Sequence, residues 1–241
     1  MSGHSKWHNI QATKSKMDAK RGKIFTKIGR EIAVAVKLGG GDPNTNSRLY
    51  DVIQKAKQNN MPNDNITRSI KKAMGESSAQ SYDAITYEGY GPHGVAFIVE
   101  CLTDNRNRTA ADVRHLFDKS GGSLGTTGSV TFMFNRQAVL VIEKGNLVED
   151  DIMMIALDAG ADDIQTEDES FVVLAAPEKL HALAKAFEDA GIALVSSDVE
   201  YEPTNLVTLS ESASESIQKL IDALEDLDDV QEVYTNADMT E

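Results

Sequence analysis

The chain of 241 residues contains one cysteine, Cys101, so no intrachain disulfide and no thiolate cluster for a structural zinc ion can form. Cys101 lies inside the apolar run Val95 to Leu102, where a thiol serves as a small buried hydrophobe. No stretch approaches the roughly eighteen consecutive apolar residues of a membrane span. The opening segment, Met1 to Ile10, also lacks the basic-then-apolar order of a secretory leader. A cytoplasmic protein with no membrane partner is therefore expected. Tryptophan is equally scarce, with a single residue, Trp7.

The composition that remains, 41% hydrophobic and 26% charged, is that of a folding globular chain, and its length suits more than one domain. The net charge of −14 would by itself argue against a polyanionic partner. The average conceals a division. Residues 1–75 hold eleven Lys and four Arg against Asp18, Glu31, Asp42, Asp51 and Asp64, a balance of +10, which leaves −24 on the rest. Such asymmetry points to a polyanion-binding module attached to an acidic body.

Between Lys20 and Leu38, Ile24, Ile28, Ile32 and Val36 recur every fourth residue beside Phe25, which predicts a helix with one apolar face. Lys20, Lys23, Lys27 and Arg30 line up on a different face of it. Gly39 to Pro43 end this helix. A second helix is predicted over Ser47 to Gln58, with Leu49, Val52, Ile53 and Ala56 inward. A third follows Pro62, capped by Asn63 or Asp64, carrying Ile66, Ile70 and Met74 and ending at Gly75.

The composition shifts between Glu76 and Ser81, the first predicted domain boundary. Beyond it the pattern predicts strands over Ile85 to Tyr90 and Val95 to Leu102, a helix over Thr109 to Lys119, and a β-rich run over Ser129 to Phe134. Strand, helix, strand, strand, helix, strand then follow over Ala138 to Ile142, Glu149 to Ala159, Asp163 to Thr166, Phe171 to Ala175, Glu178 to Ala190 and Ala193 to Val199, the βαββαβ order of a ferredoxin-like unit. Leu206 to Leu209, Ser212 to Glu225 and Val230 to Tyr234 supply a further strand, helix and strand. The expected class is α+β: a three-helix domain (1–76) followed by two ferredoxin-like α+β domains, the second domain split (77–135 and 203–241) and the third inserted within it (136–202).

The constellation richest in chemistry is the start of the chain. Lys6, Trp7 and His8 are followed by Lys14, Lys16, Lys20, Arg21, Lys23, Lys27 and Arg30. Lysine and arginine neutralise phosphates and release counterions, and an indole can stack on a base or ribose. These ten residues are the candidate nucleic-acid contacts. Catalytic readings fare worse. His4 and His8 stand four apart but lack a third ligand and sit among cations, so no metal is expected. His93 and His115 have no nucleophile in a triad context. Gly121, Gly122, Gly125 and Gly128 come without a Walker lysine–hydroxyl pair, which favours turns over a phosphate loop. Neither catalysis nor a cofactor is expected. Arg106 and Arg108 could extend the basic surface or pair with nearby carboxylates.

Six stretches, GHSKWHNI at the start, KSKMDAKRGKI from Lys14, AKQNNMPNDNITRSIKKAMG ending at Gly75, YEGYGPHGVA from Tyr87, DNRNRT from Asp104 and GGSLGTTGSVTFMF from Gly121, resemble the YebC family in order and over nearly the whole chain. That resemblance implies a three-domain α+β fold with the third domain inserted in the second. It also implies regulation of gene expression, since bacterial members are described as transcriptional regulators and mitochondrial relatives as translational activators for a respiratory-chain subunit. It brings no catalytic residues.

Two targets stay open on the residues, with a monomer expected in either case. A transcriptional regulator binding DNA would use a helix-turn-helix, for which the junction Asn59 to Asp64 could serve. Basic residues spread over the tail and first helix instead suit folded RNA, such as ribosomal RNA on the ribosome. A third class, a ligand-sensing module, rests on fold analogy alone.

Overall fold

The computed structural model describes residues 6–75 and 81–238, with side chains from residue 21 onward. The chain divides into two compact units, one of residues 1–79 with 136–200 and the other of residues 80–135 with 201–241.

In the first unit, three helices, α1 (Lys6–Gly39), α2 (Ser47–Gln58) and α3 (Asn63–Gly75), share one core. Ile28, Ile32, Ala35 and Val36 of α1 meet Leu49, Val52 and Ala56 of α2 and Ile66 of α3, all buried. Helix α1 starts at Lys6, fourteen residues before the predicted start at Lys20. The added stretch has no fourfold apolar recurrence, but its Lys, Ala, Gln and Met are strong helix formers. Met74, one of the apolar residues that mark the predicted third helix, is 64% exposed and lies against the chain reversal at Gly41.

The α1–α2 junction is held by one side chain. The buried Asn46 amide donates to the carbonyls of Ala35 and Gly40 at 2.8 Å each, and its oxygen accepts from the Leu49 amide at 3.1 Å. It thus closes the end of one helix and caps the start of the next. Gly40 turns the chain there at φ +84°, where a Cβ would be strained.

The same unit contains β4 (Phe134–Glu143) from Arg136, α5 (Glu149–Asp158), β5 (Asp163–Thr166), β6 (Ser170–Ala175), α6 (Leu180–Asp189) and β7 (Leu194–Pro203) as far as Glu200. The sheet order β5-β6-β4-β7, with antiparallel β4–β6 and β5–β6 pairs, is the ferredoxin-like plan. One face of the sheet offers Leu140, Ile142, Phe171 and Val173 to Ile152 and Ala156 of α5 and to Leu183 and Phe187 of α6. Val139, Val141 and Val172 point the other way, are also buried and pack with Leu174 and Val195, on a sheet that α1 approaches at β6.

The second unit is built on the hairpin of β1 (Asp83–Tyr90) and β2 (Ala96–Thr103), with α4 (Arg106–Lys119), β3 (Ser123–Leu124), β8 (Val207–Thr208), α7 (Glu211–Glu225), β9 (Val230–Thr235) and β10 (Ala237–Asp238). Its main sheet, β3-β1-β2-β9, is antiparallel throughout. Phe97, Val99 and Cys101 of β2 pack with Phe117 of α4 and Ile217, Leu220 and Leu224 of α7. The other face of β2 meets Val130 and Phe134.

Strand positions match those of the inserted sheet, but β1, which precedes the β2-α4-β3 crossover, takes the place held in the inserted sheet by β6. The predicted strand at Leu206 to Leu209 therefore does not enter the main sheet. Its short form, β8, pairs in parallel with β10. A second departure is the run Ser129 to Phe134, whose apolar pattern predicts a strand. It forms a 3₁₀ turn over Thr131–Met133 instead, because its backbone amides are drawn to a buried carboxylate described below.

Candidate nucleic-acid interface

On α1 the apolar ridge Ile24, Ile28, Ile32 faces the helical core. The predicted stripe lies on another side: Arg21 and Lys23 are exposed and Lys27 and Arg30 half-buried. The helix backbone runs through Lys6, Trp7, His8, Lys14, Lys16 and Lys20, but the side chains of these six candidates lie outside the described residues. The same holds for His4, so the spacing of His4 and His8, read above as no metal site, lies outside the described residues.

Sequence reading missed a second basic surface. On α3, Ile66 is buried and Ile70 packs inward, which turns Arg68, Lys71 and Lys72 to the outer side, all exposed. Together with Arg48 and Lys57 of α2 they carry no ion pair among the described residues. Helices α1 and α3 approach closely at Gly29, where an added Cβ would stand 3.9 Å from the Ser69 hydroxyl. Arg30 and Arg68 are the chain neighbours of that crossing. A signal was available, since Arg68, Lys71 and Lys72 recur at spacings of three and four around an apolar Ile66–Ile70 ridge.

Lys55 of α2 is not available in the same sense. It pairs with Glu31 at 3.2 Å and with Asp198 of β7. Nearby, His181 Nδ1 of α6 lies 2.9 Å from the Asp51 carboxylate and its ring meets Tyr50 edge to face, while the Gln58 amide donates to the Ser197 hydroxyl at 3.1 Å. Burial pushes the Asp51 carboxyl up, and the contact with His181 only partly offsets this. Within this unit, helix α2 is thus docked on β7 and α6 through polar groups separated by more than a hundred residues in sequence.

The other polar motifs belong to the second unit and are structural. In DNRNRT, Asn105 caps α4 by accepting from the Arg108 amide at 3.1 Å. Arg108 donates to Asp104 at 2.8 Å and to the buried Asp229 at 2.7 Å, and Asp229 also accepts from the hydroxyls of Thr103 and Thr109 at 3.1 and 2.7 Å. Bonding to Asp229 and Asp104 raises the Arg108 guanidinium further above its ordinary range. Arg106 pairs with Asp83 at 3.3 Å. Of the two readings of these arginines, pairing with carboxylates holds.

The glycine-rich segment after α4 does form an anion-binding nest, and the anion is internal. The Glu88 carboxylate of β1, nearly inaccessible, accepts from the backbone amides of Gly128, Val130 and Thr131 at 2.7, 3.0 and 2.9 Å. Burial pushes this carboxyl up, but those amides and the Thr131 hydroxyl together outweigh burial and hold it below the usual range. Gly89 beside it lets β3 approach, since a Cβ would come within 2.5 Å of the Ser123 carbonyl oxygen. His93 and His115 are exposed, the first on the β1–β2 turn at φ +61° and the second on α4. Among the described residues no group of His, Cys, Asp and Glu could hold a metal ion, and no helix is long and apolar enough to cross a membrane.

Comparison with known proteins agrees with this anatomy. A family model described as the TACO1/YebC protein N-terminal domain matches residues 5–76, and one described as the TACO1/YebC second and third domain matches residues 82–237. A protein of Acetivibrio thermocellus is 58% identical over 238 residues, with 98% of each chain covered. One from Clostridium botulinum (strain Eklund 17B / Type B) is 57% identical over 242 residues, covering 100% of this chain and 98% of the relative. Both are named as probable transcriptional regulatory proteins. The crystal structure of a conserved hypothetical protein from Aquifex aeolicus superimposes with a TM-score of 0.80 at 40% identity, covering 92% of both chains.

Proposed function

We propose, starting from the fact that this chain belongs to the TACO1/YebC family, that it is a non-enzymatic, cytoplasmic regulator of gene expression that binds nucleic acid through its helical segment. The contact surface is Lys6, Trp7, His8, Lys14, Lys16, Lys20, Arg21, Lys23, Lys27 and Arg30, joined by Arg68, Lys71 and Lys72 of α3. The observation that carries this reading is the contrast in charge. Residues 1–75 hold a balance of +10 and the remainder −24, and the arginines of the acidic part at 106 and 108 are already bonded to carboxylates. Phosphate is attracted to the first segment and repelled by the rest.

Duplex DNA is the target that the relatives' names favour, with regulation of transcription as the outcome. A second reading, folded RNA on the ribosome with translational control as the outcome, has its own support. The cations are distributed over α1 and the outer side of α3, not gathered on one helix that could enter a major groove. Crosslinking in cells followed by sequencing separates the two, because recovered promoter DNA supports the first and ribosomal RNA the second.

The stripe itself is tested in the full chain by replacing Lys20, Lys23, Lys27 and Arg30 with Gln. Each lost phosphate contact lowers the slope of log affinity against log salt by about 0.9 on duplex DNA and about 0.7 on single strands, so a decrease of up to about 3 to 4 is expected. An unchanged slope would move the contact surface off this face of α1.

A further inference from the structure

Helix α5 is apolar on both of its faces. Ile152 and Ala156 enter the core, while Met153, Met154 and Leu157 point away from it, Met154 with 65% and Leu157 with 55% of its surface exposed. Leu147 and Val148, leading into the helix, prolong this surface, and Val148 is 57% exposed. A surface helix ordinarily carries one apolar face, so a second one facing solvent marks an interaction surface.

Along α5 itself every charged residue is acidic, with Lys144 and Lys179 standing only at the two ends of the helix. Asp151 and Asp158 stand seven residues apart, two helical turns, and so form a row beside the Met153, Met154, Leu157 ridge, with Asp150 at its start. All three are exposed and have no cationic partner among the described residues. The acidic rim repels phosphate, which excludes nucleic acid, and repels anionic lipid headgroups, which excludes a membrane surface. Methionine adds a flexible, polarizable contact that moulds to varied apolar shapes.

We propose that this outer face of α5 docks a basic amphipathic helix of a partner protein, whose apolar ridge would cover Met153, Met154 and Leu157 while its Lys or Arg residues meet Asp150, Asp151 and Asp158. Charge complementarity chooses this occupant. The surface lies on the part of the chain carrying −24, so a cationic partner is both attracted and oriented. The helical domain would then engage nucleic acid while the inserted domain recruits a basic protein.

The test uses the full chain and a fluorescein-labelled peptide of about 18 residues, five helical turns, with leucines on one face and lysines on the other. A scrambled peptide of equal composition serves as control. Fluorescence anisotropy should show binding of the amphipathic peptide, weakened about tenfold or more in Met154→Gln with Leu157→Gln, the size expected for central apolar anchors. Asp151→Asn with Asp158→Asn should weaken it less and flatten its salt dependence. Affinity for nucleic acid should stay unchanged in both variants, so this result is independent of the proposed function.

Equal binding of the scrambled peptide, or undiminished binding by the Met154 and Leu157 variant, would overturn the proposal in favour of general acidity. Self-association in sedimentation that the same variant abolishes would overturn it in favour of a second copy of the chain. A loss of thermal stability in that variant would show the face to be structural and overturn it too.

Discussion

The segments DNRNRT and RSIKK are two short cationic stretches of one chain, each on a helix, and their charges meet opposite conditions. In the first, Arg106 and Arg108 find Asp83, Asp104 and Asp229 within ion-pairing distance, so they tie the end of β2, the start of α4 and the approach to β9 together. In the second, Arg68, Lys71 and Lys72 stand on the outer side of α3 with no carboxylate paired to them. The count of basic residues does not distinguish them. What does is the position of carboxylates brought near by folding, Asp229 being the decisive one at 121 residues' distance from Arg108.

That contrast between structural and available charge can be broken by mutation. The largest effect on stability is expected from Ile28→Ala, which empties a buried site of the helical core and should cost about 2 to 5 kcal/mol in urea unfolding. Nucleic-acid affinity should persist while the domain remains folded, since core and charge occupy different faces of α1. Asp229→Ala comes next. It strands the hydroxyls of Thr103 and Thr109 and should cost about 2 to 4 kcal/mol, within the range for removing one member of a buried polar network. The salt dependence of nucleic-acid binding should not change, and if it fell in this variant or in Arg106→Gln with Arg108→Gln, the second unit would share the interface.

Glu88→Gln should cost about 1 to 3 kcal/mol near neutral pH, because three backbone amides lose a charged acceptor. The sign with pH follows from its lowered folded-state pKa. The stabilisation is fully present above the ordinary glutamate range and is lost as pH falls through the lower folded value, so acid unfolding curves of wild type and variant should converge at low pH. The smallest effect on stability is expected for Arg68→Gln with Lys71→Gln and Lys72→Gln, within about 0.5 kcal/mol for exposed positions. Yet its salt slope should drop by up to about 2 to 3 if these cations meet phosphates. A wild-type slope would confine the interface to α1.

Much of the architecture was legible because it depends on local pattern. Helix α2 occupies its predicted range, Ser47 to Gln58, and β5 its range, Asp163 to Thr166. In both, apolar period and flanking cap or turn residues agree. The first half of α1 was not legible by the same means. It has no apolar ridge, and a search for periodicity passes over a helix sustained by propensity. The segment from Ser129 to Phe134 misled in the opposite direction, because its strand-like pattern is overridden by the Glu88 carboxylate.

The candidate interface divides along the same line. Sequence alone determined the α+β class, the βαββαβ order between β4 and β7, and the separation of a basic first segment from an acidic body, because period and charge are properties of neighbouring residues. Tertiary structure decided which charges are occupied and which are open. It joined α2 to the inserted domain through Asp51 and His181, Lys55 and Asp198, and Gln58 and Ser197. It also buried the second face of the inserted sheet and gave β1, not β8, the vacant place in the main sheet. Each of these contacts couples residues far apart in the chain, and whether a charge stays open to a partner depends on what the completed fold places within a few ångströms of it.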